Sequence, residues 1–251
     1  MEEAVPEVSQ QTLLPKMVKL DFSETLTVLV GETKQVFTVH KDIISRRSSF
    51  FKAACHERWQ GASTAKDVEL PTDDPELFGT YLQCVYTDTV VTHQDSGHNS
   101  NSDDDDISTL ADCVMHLVKV YFLADKLGDL ISCNLIIDSL ITTCKERGVS
   151  PRRSASLLES VYESTPKNSP LRRLMVDYHI HHVPSLGKGG MEFVDDVDLV
   201  PRAFLVEVLQ EYGRLKAECC DTPICAAFGD LPSQRAKCHY HQHDERHPRC
   251  E

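Results

Sequence analysis

The stretch CHYHQHDERHPRC, from Cys238 to Cys250, holds two cysteines and four histidines and almost no apolar side chain. Cys238-x2-His241-x5-His247-x2-Cys250 supplies two thiolates and two imidazoles, the donors zinc prefers and enough of them to close a tetrahedral shell. His239 and His243 are alternative ligands, and His243 can replace His247 without changing the chemistry. The five-residue gap is too short for a ββα finger and suits a compact knuckle. Four protein ligands leave no open coordination position, so one zinc held here would be structural and not catalytic. Cys219, Cys220 and Cys225 lie close enough in sequence to lend a ligand if the chain folds back. The competing reading is a polar tail whose histidines are incidental.

Other candidate chemistry is thinner. The chain has no G-x-S-x-G, no G-x-x-x-x-G-K-S/T and no G-x-G-x-x-G. The glycines of GKGG (187–190) lack the strand-to-helix setting of a phosphate loop. HERW begins at His56 like a zinc-protease helix, but position 60 is Gln and the second histidine is missing. His179 and His182 fall three apart in YHIHHV (178–183), within reach of one metal, yet with no third ligand nearby they read as a solvated polar face. A Cys–His nucleophilic pair needs an accessible thiol, and most of the thiols sit in apolar-patterned segments. These motifs therefore predict no enzyme, with no catalytic and no cofactor-binding residues.

Composition narrows the class. The 251 residues are 41% hydrophobic and 26% charged, ordinary for a soluble globular chain. The net charge of −13 opposes nucleic-acid binding, which needs Lys and Arg gathered on one face. No apolar run approaches the ~20 residues of a membrane span. The N-terminus MEEAVPEVSQ lacks the apolar core of a signal peptide, and no N-x-Ser/Thr acceptor occurs. An intracellular site, cytoplasmic or nuclear, is the expectation. The ten cysteines then read as thiols: Cys55, Cys84, Cys113, Cys133 and Cys144 as buried structural groups, and the last five as the tail set.

The elements that would position these residues follow from periodicity. TLTVLVG (25–31) and QVFTVH (35–40) read as a β-hairpin. KDIISRRSSFFKAAC switches to helical spacing, with Ser48 or Ser49 as a cap between two short helices. KDVELP (66–71) is a short strand. TDDPELFGTYLQCVYT opens with Asp73 or Asp74 as cap and Pro75 at the first helical position. HQDSGHNSNSDDDD (93–106) has no apolar residue and reads as a flexible acidic loop. Two helices follow, ending at Gly128 and Gly148. Beyond them, SPRRSASLLESVY, SPLRRLMVDYHIHHV and PRAFLVEVLQEYGRLKA predict three more helices. The last presents Phe204, Leu205, Val208, Leu209, Tyr212 and Leu215 as its apolar face.

VHKDIISRRSSFF (39–51), DVELPTDDPELFGTYLQCVYT (67–87) and LVKVYFLADKLGDLISCNLIIDSL (117–140) match, in order and spacing, the signatures of the BTB/POZ domain. The chain resembles that family, and most closely the single-domain BTB proteins common in fungi. The resemblance implies an α+β fold, a small sheet packed on a helical cluster, followed by an α-helical C-terminal extension. Together with the composition and periodicity above, this divides the chain into a poorly ordered arm over 1–20, a BTB/POZ domain over 21–148 with the flexible acidic loop 93–106, a helical extension over 149–218 and a Cys/His-rich tail over 219–251. Its core is expected to include Val28, Val30, Phe37, Ile44, Phe51, Leu77, Leu82, Val85, Leu117, Tyr121, Leu123 and Leu127. Parallel strands joined by helical crossovers would stand against it. In function, the resemblance implies a non-enzymatic protein-interaction module. Such domains commonly dimerise, and many recruit a cullin-type ubiquitin ligase scaffold, so the partners expected are proteins, with no nucleic acid and no membrane. Where the family usually has Asp at the start of the first strand, this chain has Thr25, preceded by Glu24. The alternative function is a zinc-dependent nucleic-acid-binding or regulatory protein using the tail.

Overall fold

The computed structural model describes residues 19–55, 67–90, 103–147, 154–182, 197–218, 232–245 and 249–250. Side chains are not described at 103–110, 181–182, 197, 216 and 218. The expected arm over 1–20, apart from its last two residues, lies outside this set, as do Cys219, Cys220, Cys225, His247 and most of the acidic loop.

Three strands make one sheet in the order β2-β1-β3. β1 (Thr25–Val30) and β2 (Gln35–His40) are the predicted hairpin, antiparallel, with Val28 opposite Phe37. The turn between them uses Gly31 at φ +75°, where a Cβ would meet the Pro75 ring at 3.1 Å, so glycine is required twice over. β3 (Val68–Leu70) lies parallel to β1, with Val30 opposite Leu70. The sheet thus contains a parallel, helix-connected pair of the kind set against the resemblance, but at this edge alone, while the hairpin, the capped helices and the core stand where the motifs place them. β2 occupies one side of β1, so the chain crosses α1 (Lys41–Arg47) and α2 (Ser49–Ala54) and returns to the open side.

The helical punctuation follows local chemistry. Ser48 separates α1 from α2 and accepts from the Phe51 N–H at 3.1 Å through its side chain, satisfying a free donor of the new helix. Asp74 caps α3 (Pro75–Thr87), with Pro75 in its first turn. α4 (Asp103–Lys126) ends at Gly128, whose φ of +65° closes the turn into α5 (Leu130–Arg147). The helix starts at Asp103, so the last four residues of the predicted acidic loop are helical. Negative residues in a first turn suit the positive end of the helix dipole.

The second half is helical, as predicted: α6 (Ala155–Ser164), α7 (Pro170–His182) and α8 (Arg202–Glu218). α6 is capped by Ser154, whose side chain accepts from the Leu157 N–H. α8 buries a narrower stripe than expected. Phe204 and Leu215 are buried and Val208 and Tyr212 packed against the core, whereas Leu205 and Leu209 are 46% and 69% exposed. Each lies one residue, about 100° of helical turn, beyond the buried stripe. The sequence-predicted core otherwise closes: Val28, Val30, Ile44, Phe51, Val85, Leu117, Tyr121, Leu123 and Leu127 are buried, and Phe37, Leu77 and Leu82 pack half-buried against them. Two polar ties join the halves and the extension. Tyr121 Oη lies 3.3 Å from Ser169 Oγ, linking α4 to the start of α7, and Tyr162 donates to Glu207 at 2.6 Å, linking α6 to α8.

Candidate functional site

The tail is not free. Residues 237–243 cross α5 and α7, which lie in different halves of the fold. Asn134 on α5 donates to the Gln242 carbonyl and accepts from the Gln242 N–H, both at 2.9 Å. Arg173 on α7 donates to the His239 carbonyl at 2.7 Å. Tyr240 is buried and donates to Asp177 of α7 at 2.7 Å. A polar backbone segment is thereby fixed by side chains from two helices.

Of the sequence-predicted metal ligands, the fold gathers three described ones. Cys238, Cys250 and one ring nitrogen of His243 lie within 4.8 Å of one another. His241 reaches the same place, its Nδ1 3.2 Å from Cys250 Sγ. Its Nε2 faces Asp138 of α5 at 2.9 Å. The Cys250 N–H donates to Cys238 Sγ at 3.1 Å. Both thiols are reduced, and the Cys250 pKa is raised, chiefly by its hydrogen bond with Cys238. His243 Nε2 is buried without a hydrogen-bond partner among the described residues. His239 turns the other way, its Nε2 3.4 Å from Asp177. Sequence reasoning missed Asp138 and Asn134. They stand four apart on one face of α5, a signal visible in sequence only once the tail is known to lie there.

His179 does not form the solvated pair expected of it. It is buried, its Nδ1 bonded to the Met175 carbonyl at 2.9 Å and its ring set edge-on to Phe204 with centroids 4.6 Å apart. The carbonyl fixes Nδ1 as the donor, and the aromatic contact fills the space a ligand would need. The His182 side chain and His56 are outside the described set.

The buried thiols are poor nucleophiles. Burial pushes Cys84 and Cys144 up to about 11 and raises Cys133 as well, so at neutral pH the reactive thiolate is scarce. A cleft of about 730 Å³ between α7, α8 and the tail sets Arg172, Arg173, Arg214 and Arg235 against Asp177, Glu207 and Glu211. Its charges answer one another: Arg214 holds the Glu211 carboxyl below its ordinary range. Neither arrangement pairs a nucleophile with a base.

Beside the sheet, where His40 ends β2, Phe22, His40 and Tyr86 stack edge-to-face with centroids 5.4 and 5.9 Å apart. The Tyr86 hydroxyl accepts from the His40 N–H at 2.9 Å. Phe22 is 58% exposed and Tyr86 43%, with Leu20 exposed nearby in sequence. Aromatic surface presented in this way is typical of protein-binding faces. Thr25, at the strand start, pairs with His40, and Glu24 bridges to Lys41 at 3.0 Å.

Comparison with curated proteins finds no significant match, and comparison with solved structures finds none either. Among the described residues no helix is long and apolar enough to cross a membrane. Residues 19–127 match the sequence model of the BTB/POZ domain, whose members are generally protein-interaction and dimerisation modules and not enzymes. The match covers the hairpin, the α1–α2 pair, β3, α3 and α4, the elements that the sequence motifs pointed to, and this part of the chain is a BTB/POZ domain.

Proposed function

We propose that this chain is a non-enzymatic adaptor or scaffold. Its BTB/POZ domain (21–148) engages a cullin-type ubiquitin ligase scaffold or a second copy of the chain. The helical extension (149–218) and the Cys/His tail (219–251) form the part that carries a client. The observation behind this reading is the exposed aromatic face of Phe22, His40 and Tyr86, next to the turn 87–89 that ends α3. A second apolar strip supports the client side: Leu205, Val206 and Leu209 are exposed together on α8. Thiols without disulfides among the described cysteines suit a reducing compartment, cytoplasmic or nuclear. The nucleic-acid alternative is disfavoured by the net charge of −13.

The test is a binding titration of the full chain against a purified cullin N-terminal region, with light scattering on the free chain for self-association. Phe22→Ser and Gln83→Arg alter exposed positions and should weaken the contact at least tenfold while the melting temperature stays unchanged. Wild-type and variant chains that bind alike, or a wild type that does not bind at all, would remove the cullin reading. A strictly monomeric chain at high concentration would remove the dimer.

A further inference from the structure

The geometry points to a structural zinc site formed by Cys238, His241, His243 and Cys250, which straps the tail to α5 through Asp138. The ligand set is narrower than spacing allowed, because His243 replaces His247, and it includes a supporting carboxylate more than a hundred positions upstream.

Four observations converge. The donor types are right: two thiols and two imidazoles are a zinc S2N2 set. The spacing is near what zinc needs. With Zn–S of about 2.3 Å and Zn–N of about 2.0–2.1 Å, tetrahedral neighbours stand roughly 3.5–3.8 Å apart. His241 Nδ1 and Cys250 Sγ are at 3.2 Å, and Cys238, His243 and Cys250 offer donors within 4.8 Å of one another. The outer groups are also in place. Asp138 accepts from His241 Nε2–H at 2.9 Å, which fixes the tautomer and leaves the Nδ1 lone pair facing the thiols. This carboxylate–histidine arrangement is the usual support of a zinc-bound imidazole. The Cys250 N–H donates to Cys238 Sγ at 3.1 Å, which holds the two cysteines side by side. Last, the buried His243 Nε2 has no hydrogen-bond partner among the described residues, a state that a polar atom out of water does not hold without cost.

The consequence is mechanical. Tyr240 and Arg173 tie the strap to α7, Asn134 ties it to α5, and the metal closes the loop of chain between Cys238 and Cys250. Zinc thereby joins the C-terminal extension to the helix that packs on α4 of the BTB/POZ domain.

The experiment uses the full chain, purified with reduced thiols and without chelator, with zinc itself as the probe. Elemental analysis should give one zinc per chain. Replacement by cobalt should give the intense visible bands of a four-coordinate thiolate–imidazole centre. His243→Ala should lose the metal on dialysis, and His247→Ala should keep it. Asp138→Asn should keep the cobalt spectrum and lower zinc affinity about 10- to 100-fold in competition with a chromophoric chelator. Circular dichroism of each variant checks that the BTB/POZ core remains folded. Should Cys238→Ser and Cys250→Ser misfold, the two histidine variants carry the decision. A chain that takes up no zinc after reduction and zinc exchange, or whose two cysteines are found as a disulfide under those conditions, overturns the site. Zinc kept by His243→Ala and lost by His247→Ala overturns this ligand set. Unchanged affinity in Asp138→Asn overturns the strap to α5.

Discussion

Asp129 is fully buried at the start of α5, and removing its carboxylate should cost more than any surface change on the BTB/POZ domain. Its Oδ1 accepts from the Ser132 N–H at 3.0 Å, capping the helix, and its Oδ2 accepts from the Ser132 hydroxyl at 2.8 Å and from Tyr81 at 3.2 Å. Arg47, only 11% exposed, reaches Oδ2 at 3.4 Å and Ser132 Oγ at 3.1 Å, and also pairs with the exposed Asp88. The carboxylate thus joins α1, α3 and α5. Asp129→Ala strands the Tyr81 hydroxyl, uncaps α5 and leaves the Arg47 charge half-answered. Losing one partner of a buried ion pair costs about 3–5 kcal/mol, and the cap and hydroxyl losses fall within that range because they are not additive with it. For a chain of this size the melting temperature should drop by about 6–20 °C. Urea unfolding followed by circular dichroism measures the free energy. Because Asp129 and Arg47 touch, Asp129→Ala should cost much less in an Arg47→Met background. A loss under about 1 kcal/mol in the wild-type background, or strict additivity of the two substitutions, would refute the claim that the charges hold the three helices together.

Three further outcomes follow from single positions. Phe51 is buried against Phe78, with ring centroids 6.4 Å apart, while neighbouring Phe50 is 38% exposed; Phe51→Ala should cost about 3–5 kcal/mol by urea unfolding and Phe50→Ala clearly less. Gly128→Ala should cost about 1–2 kcal/mol for the left-handed backbone alone, and the new Cβ would sit 2.1 Å from Ser49 Oγ until that hydroxyl rotates; thermal melts that match wild type would contradict this. Burial raises the Asp125 carboxyl, so the folded chain holds that proton more tightly than the unfolded chain does, and stability falls as pH rises from the ordinary carboxylate range through the raised value. Asp125→Asn should therefore stabilise at neutral pH, by about 0.3–1 kcal/mol from relief of the α4 C-terminal dipole alone, and should make no difference in acid where the carboxyl is already neutral.

The BTB/POZ half was legible in sequence because its instructions are local. Gly31, Ser48, Pro75 and Gly128 each stop or start an element through their own backbone or cap chemistry, and the apolar periods between them name the core face. The parallel placement of β3 was not legible, since three residues carry no signal for which edge they join. Arg47 and Asp129 are 82 positions apart, and nothing in either neighbourhood announces the pair. α8 misled for a related reason. Leu205 and Leu209 keep helical spacing as faithfully as Phe204 and Val208 do, and only the position of α6 and α7 decides which stripe is covered. His179 misled because a histidine among histidines looks solvated, whereas this one is buried, with the Met175 carbonyl and the Phe204 ring among its partners.

α5 explains why the tail's chemistry could be read and its meaning could not. One side of this helix, Cys133, Ile136, Ile137, Leu140 and Cys144, is buried in the core, and its first turn holds the Asp129 network. The other side offers Asn134 and Asp138 to the tail at 2.9 Å. Donor types and spacing identify a metal set from the tail alone, because ligand chemistry is carried by the ligands. What the metal would do depends on what stands behind it, and that residue lies 103 positions away. Without the metal, hydrogen bonds with Asn134, Asp138, Arg173 and Asp177 hold the tail, each worth about 0.5–1.5 kcal/mol net, with Tyr240 as its large buried side chain. That is little against the ordering of a polar strap, at about 1–2 kcal/mol per residue for backbone alone. Apparent binding energies of structural zinc, about 10–16 kcal/mol in small domains, exceed this deficit. The proposed metal is thus the term that makes an ordered strap across two helices energetically reasonable, and its removal should release the strap while leaving the Asp129-centred half folded.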